Sequence, residues 1–203
     1  MSREMRSLVP IEVAIVVGAA LVPLPVPAVV PLLVAASISL WLRGRSWAGV
    51  VKGPALYAAI GAVAGGLALG LALVVSTPLL EAITDYAVQW SMYPIVRGSG
   101  AQAIMVAIVV GISAVAAELV LRGWLVERVL ELRGHPVLAI LAGAIAEAVV
   151  SDGDLTMRLG AGIFGIGLGW MYVASGRSVV APVCARLVFS LGALALEATR
   201  VVG

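Results

Sequence analysis

Residues 101–134 read AQAIMVAIVVGISAVAAELVLRGWLVERVLELRG, and this stretch decides the fold. From Ala101 to Ala117 it carries no charge; Glu118, Arg122, Glu127 and Arg128 then follow with no proline between them. Crossing a hydrocarbon core of ~30 Å takes about 20 apolar residues, and a helix satisfies its own backbone polar groups on the way. A membrane helix is therefore expected from near Ala101, continuing through Glu118 and Arg122 to about Arg133.

The rest of the 203-residue chain has the same character, with 62% hydrophobic and 12% charged residues. Soluble domains run at roughly half apolar and a quarter charged, so an ordinary soluble fold is excluded. The mean hydropathy of +1.13 and the 23 glycines agree, since glycine is commoner in membrane helices than in soluble ones. The formal net charge is only +2 and the basic residues are dispersed, which argues against nucleic acid as a partner. Cys184 is the single cysteine and cannot form an intramolecular disulfide. His135 is the single histidine, which excludes any two-histidine zinc site; no metal and no cofactor is expected.

Six further apolar runs flank the first, at about Leu8–Val22, Pro27–Leu42, Ala55–Val75, Pro136–Val150, Leu159–Ala174 and Val179–Leu196. The first two are joined by the proline-rich Val22–Pro27, which reads as a tight extended turn. Between Thr77 and Gly100 lies a mixed stretch with Glu81, Asp85, Trp90, Tyr93 and Arg97, expected at the membrane interface. The run Pro136–Val150 is short for a span and is also compatible with a helix buried inside a bundle. No internal repeat and no second domain is visible. The expectation is all-α: one transmembrane helical domain over residues 1–203, a polytopic bundle of about seven spans, with six to eight possible.

Arginine and lysine placement orients it. With the N-terminus in the cytoplasm, inner ends and loops collect Arg3, Arg6, Arg43, Arg45, Lys52, Arg128, Arg133 and Arg177. Outer loops hold only Arg97, Arg158 and Arg200. A multi-pass protein of the cell membrane follows, in contact with the lipid bilayer. Gly61-x-x-x-Gly65, Gly66-x-x-x-Gly70 and Gly165-x-x-x-Gly169 each place two small residues on one helical face, for packing within the bundle or for dimerisation.

Charges inside apolar runs carry the functional signal, because each costs about 2.5–3.5 kcal/mol on insertion scales and so faces a partner or a wet cavity. Glu118, Arg122, Glu147 and Arg186 fit that description; Glu12 lies near the start of its run, within reach of the interface. Glu118 and Arg122 are four apart and can pair on one helix face. Ser151-Asp152-Gly153-Asp154 reads as a polar outer turn rather than a cation site, which would need more oxygen ligands.

The string Ala117-Glu118-Leu119-Val120-Leu121-Arg122-Gly123-Trp124 resembles the Glu-Glu-x-x-x-Arg-Gly-aromatic motif of the CPBP family of CAAX proteases and bacteriocin-processing enzymes. Continuing without a gap, His135–Leu141 resembles the lead-in to the family's second motif, Phe-x-x-x-His, whose two positions fall on Glu147 and Ser151. Gly169, Tyr172, Ser178 and Ala181-Pro182 resemble the approach to the third, His-x-x-x-Asn, whose positions fall on Arg186 and Ser190. The resemblance covers a core of about residues 114–190. It implies a membrane helical bundle in which the first glutamate and a histidine activate water while the other histidine and the asparagine stabilise an oxyanion. Those four positions are here Ala117, Ser151, Arg186 and Ser190, so the family's catalytic set is degenerate. What survives is Glu118, Arg122 and Gly123, the part that resembles a brace. Beside the Glu118–Arg122 pair, the expected network is a buried one joining Arg186 to Glu147, Glu118 or both, in a plugged cavity.

Three functions fit these residues. The first is a non-catalytic, CAAX-protease-like scaffold or partner-binding subunit, associating with other membrane proteins. The second is an active intramembrane peptidase with displaced catalytic residues, with Glu118 or Glu147 as base. The third is a small-solute or ion transporter lined by the intramembrane charges, which would ordinarily show an internal repeat.

Overall fold

A computed structural model of the chain describes residues 9–20, 29–84, 93–97, 99–151, 153 and 155–199. Regular structure among them is helical: α1 (Val9–Ala20), α2 (Val29–Leu42), α3 (Ala55–Leu71), α4 (Thr77–Thr84), α5 (Gly100–Glu118), α6 (Glu127–Arg133), α7 (Pro136–Val150), α8 (Leu155–Ala174) and α9 (Val180–Ala198). Two π-helical segments join neighbours into longer rods, Ala72–Ser76 between α3 and α4 and Leu119–Val126 between α5 and α6. Each of the seven apolar runs thus carries one rod. Among the described residues, four stretches are long and apolar enough to cross a membrane: Ala55–Ile83, Gly100–Leu132, Leu155–Ala174 and Val180–Ala198. Val9–Gly18, Val29–Leu42 and Pro136–Val150 are shorter apolar helices. The chain is a multi-pass membrane protein in contact with lipid. The proline-rich Val22–Pro27 lies outside the described residues, as do Arg3, Arg6, Asp85, Trp90, Asp152, Asp154 and Arg200.

The stretch from Thr77 departs from the expected interfacial segment, because α4 prolongs the third rod to Thr84. Pro78 explains how. A proline inside a helix lacks a donor and drives its ring into the carbonyl four residues earlier. The wide turn at Ala72–Ser76 opens that site, and the Thr77 hydroxyl donates to the Ala72 carbonyl at 2.8 Å.

The described residues fall into two compact units. The first joins the chain up to Pro54 with Ala116–Pro182. Its apolar core combines Val16 of α1, Leu32, Ala36 and Leu40 of α2, Val120, Leu121, Trp124 and Leu125 of the π segment, and Ala146 of α7. Helices α7 and α8 pack antiparallel through small residues. A methyl group added at Gly169 would meet Ile140 Cγ2 at 3.0 Å, and one at Gly162 would meet the Ala148 Cβ at 3.3 Å. The turn between α6 and α7 needs Gly134, whose φ of 67° is left-handed and whose N–H reaches the Leu130 carbonyl at 2.8 Å. Pro136 then sits at the first turn of α7, where no donor is needed. This helix is not buried all round: Leu138, Leu141, Ile145 and Val149 form an exposed apolar stripe.

One end of this unit gathers basic groups expected on a single membrane side. Arg43 at the end of α2 pairs with Glu12 of α1, its Nε donating at 3.0 Å, and Ser39 donates to the same carboxylate at 2.8 Å. Glu131 of α6 receives Arg45, Arg128 at 2.7 Å and, more loosely, Arg43 at 3.8 Å. The turn between α8 and α9 joins them: Val179 N–H donates to the Val50 carbonyl at 3.0 Å, Ser178 donates to the Lys52 carbonyl, and Arg177 lies 3.6 Å from Glu127.

The second unit comprises Ala55–Val115 and the chain from Val183. A methyl at Gly65 would collide with the Ala185 backbone, so α3 and α9 touch backbone to backbone there. Gly61 is buried on the same face, Gly66 only grazes Val188, and Gly70 faces open space. The spacings Gly61–Gly65 and Gly165–Gly169 therefore serve packing within their own units. Glu197, buried near the end of α9, accepts the Tyr93 N–H at 3.1 and 3.2 Å and faces Arg97 at 3.9 Å.

Candidate functional site

The π-helical segment Leu119–Val126 builds the site. Its turn is one residue wider than an α-turn, a feature that recurs where helices carry function. Every residue from Val120 to Val126 is buried. Gly123 permits this, because a methyl there would meet Val50 at 3.1 Å, Val179 at 3.3 Å and Trp47 at 3.6 Å. Trp124 points its indole N–H at the Ser39 hydroxyl, 2.9 Å away.

Arg122, on this segment, is wholly buried and lies between two buried carboxylates. Its Nε is 3.3 Å from Glu118 Oε2 on the preceding turn. Its Nη2 donates to Glu147 Oε2 at 2.5 Å and to the Gly165 carbonyl at 2.9 Å. Glu147 comes from α7 and Gly165 from α8, so one guanidinium ties three helical segments together. The glycine is required, since a methyl at 165 would sit 2.6 Å from Glu147 Oε2 and 3.1 Å from Arg122 Nη2. The carbonyl of Gly165 is available because no side chain covers it.

The expected Glu118–Arg122 pair is present, and Glu147 joins it through Arg122. Arg186 and Ser190 lie one turn apart on α9, in the second unit, both half-buried. Ser151, at the end of α7, donates to the Glu147 carbonyl at 2.7 Å, an ordinary helix-end bond. Ala117, beside Glu118, is half-buried and offers only a methyl group. His135 precedes α7 and is exposed. It is twelve residues from Glu147 along that helix, ~18 Å at 1.5 Å per residue.

Chemically, this arrangement holds charges still rather than presenting them. Lone pairs of Glu147 are directed at Arg122, and an arginine stays protonated and cannot take up a proton as a base. Several partners were not legible beforehand: the Gly165 carbonyl, the convergence of three arginines on Glu131, and Tyr172, whose hydroxyl donates to Glu127 at 3.0 Å. Only Glu131 had a local signal, standing three residues after Arg128.

Residues 99–192 match the family model described as type II CAAX prenyl endopeptidase Rce1-like. No curated protein and no solved structure matches the chain. The matched stretch contains Ala117, Glu118, Arg122, Glu147, Ser151, Arg186 and Ser190. Through residues 99–192 the chain is similar to the Rce1-like CAAX protease family, within the CPBP group.

Proposed function

We propose that this protein is a non-catalytic member of its family, a membrane scaffold or partner-binding subunit of the cell membrane. The observation that carries the reading is the buried Glu118–Arg122–Glu147 cluster, with exposures of 0%, 0% and 2%. A hydrolase of this kind needs a base beside water and fixed donors at the developing oxyanion. Here the surviving motif carboxylate faces an arginine, and the chain's one histidine stands ~18 Å along α7 from Glu147. Ala117, Ser151, Arg186 and Ser190 supply no histidine, asparagine or second glutamate at the family's positions. An arginine at position 186 stays protonated and cannot take the part of the histidine that the resemblance puts there. No metal or cofactor enters this reading. The whole chain acts as one membrane domain, with its N-terminus in the cytoplasm. That orientation is supported by the gathering of Arg43, Arg45, Arg128 and Arg177 at one end of the first unit.

The experiment is purification of the tagged protein from its native membrane in a mild detergent, followed by identification and stoichiometry of co-purifying membrane proteins. The expected result is a partner at fixed ratio that persists in Glu118→Ala and Arg186→Ala variants that stay folded. Recovery of the chain alone in several mild detergents would contradict a scaffold role.

A further inference from the structure

Two neighbouring helices of the first unit, α7 and α8, are short between their polar ends. Helix α7 has 15 residues, ~22 Å of rise, between the exposed His135 and the polar turn at Ser151 and Gly153. Helix α8 has 20 residues, but Arg158 interrupts its first turn and donates from Nε to the Gly153 carbonyl at 3.3 Å. The two helices run antiparallel, with Ile140 against Gly169 and Ala148 against Gly162. That register sets Ser151 level with Arg158 at one end, and His135 level with the Ser175–Arg177 turn at the other. Both helices therefore have the same apolar length between polar ends, ~24 Å, against ~30 Å for an average hydrocarbon core.

This length is presented to lipid. On α7 the exposed stripe runs from Leu138 through Leu141 and Ile145 to Val149. On α8 it runs from Leu159 through Ile163 to Trp170. The α7 stripe ends within the two polar levels; on α8 the exposed Leu155 alone lies beyond them, on the far side of Arg158. A stretch too short for the bilayer gains nothing by tilting, which would shorten its span further, so the deficit of ~6 Å falls on the lipid, at a cost of fractions of a kcal/mol per ångström. We propose that this face of the protein takes short-chain lipid and thins the bilayer around α7 and α8. The consequence for the buried cluster is direct: Glu147 lies one turn below Ser151, so thinning brings the headgroup layer to within ~6 Å of it along the helix.

The test uses the full chain reconstituted into phosphatidylcholine vesicles whose monounsaturated chains have fourteen, sixteen, eighteen, twenty or twenty-two carbons. Thermal unfolding is followed in each, together with Arg158→Leu and Arg158→Lys. The expected optimum for the natural chain is at fourteen or sixteen carbons. Arg158→Leu lengthens the apolar stripe of α8 by a turn and should move the optimum to longer chains. Arg158→Lys keeps a charge that reaches the same level and should leave it in place. A natural-chain optimum at eighteen carbons or more, or a flat profile, would overturn the proposal. So would an Arg158→Leu protein that folds and keeps the short-chain optimum. Should Arg158→Leu fail to fold, the natural-chain profile alone decides.

Discussion

Arg122 holds Glu147 across 25 residues of chain, Nη2 to Oε2 at 2.5 Å, with both side chains out of reach of solvent. Its other carboxylate neighbour, Glu118, is one turn away on the same rod. A pair this deep owes little net stability to charge attraction, because desolvating the ions costs about as much as the pairing returns. Its structural weight appears when one member is removed and the others are left buried.

Arg122→Met should therefore lower unfolding stability in detergent by about 3–5 kcal/mol, leaving two buried carboxylates without their arginine. Arg122→Lys should recover only part, since a point ammonium cannot serve Glu118, Glu147 and the Gly165 carbonyl together. Combining Glu118→Leu, Arg122→Met and Glu147→Leu should regain most of the loss. If the triple variant is as unstable as Arg122→Met, the burial argument is wrong.

Gly165→Ala places a methyl 2.6 Å from Glu147 Oε2. It should destabilise by about 1–3 kcal/mol, as overpacking does, and the loss should shrink in a Glu147→Ala background. Gly167→Ala is the control on the same helix. Nothing lies within 4 Å of its added methyl, so it should be neutral or stabilise by up to about 1 kcal/mol through helix propensity. Equal losses from both would remove the special role given to Gly165.

The seven rods were legible from apolar runs because membrane helices advertise themselves by length and charge exclusion. The Glu118–Arg122 pair was legible because i,i+4 spacing is a local property. What the runs could not reveal was π geometry. In Leu119–Val126 no proline marks the wide turn, and in Ala72–Ser76 Pro78 reads as a breaker although the rod continues beyond it. Nor could they show that Arg122 would choose Glu147, since partners 25 residues apart depend on how α7 packs against the segment Leu119–Val126. Glu197 escaped notice because it lies just past the apolar run that ended at Leu196, although it is buried against Tyr93.

Glu131 gathers Arg45, Arg128 and, at 3.8 Å, Arg43. Arg128 is 1% exposed, so Glu131→Gln leaves a buried cation short of its carboxylate and should cost about 1–3 kcal/mol. Arg45 is half exposed, and Arg45→Ala should cost under about 1 kcal/mol, as surface pairs do. Denaturant unfolding in detergent checks both; a larger loss from Arg45→Ala than from Glu131→Gln would reverse the assignment of the cluster's anchor.

The basic end also makes a topological prediction. In a Cys184→Ser background, single cysteines at Ser46 and at Arg177 should label from the same side, since Val179 and Val50 share a backbone hydrogen bond. A cysteine at Gly153 should label from the other side, and the Ser46 side should be cytoplasmic. Labelling of Ser46 and Gly153 from one side would break the arrangement of α7 and α8 across the membrane.

Peptide-bond cleavage tests the central claim most directly. The purified chain, reconstituted in vesicles, is incubated with a prenylated peptide ending in a CAAX sequence, and release of the C-terminal tripeptide is followed by mass spectrometry. The expected result is no release above protein-free vesicles, unchanged in the Glu118→Ala and Glu147→Ala variants. Tripeptide release that is abolished by either substitution in a folded protein would show a working peptidase and contradict the non-catalytic reading.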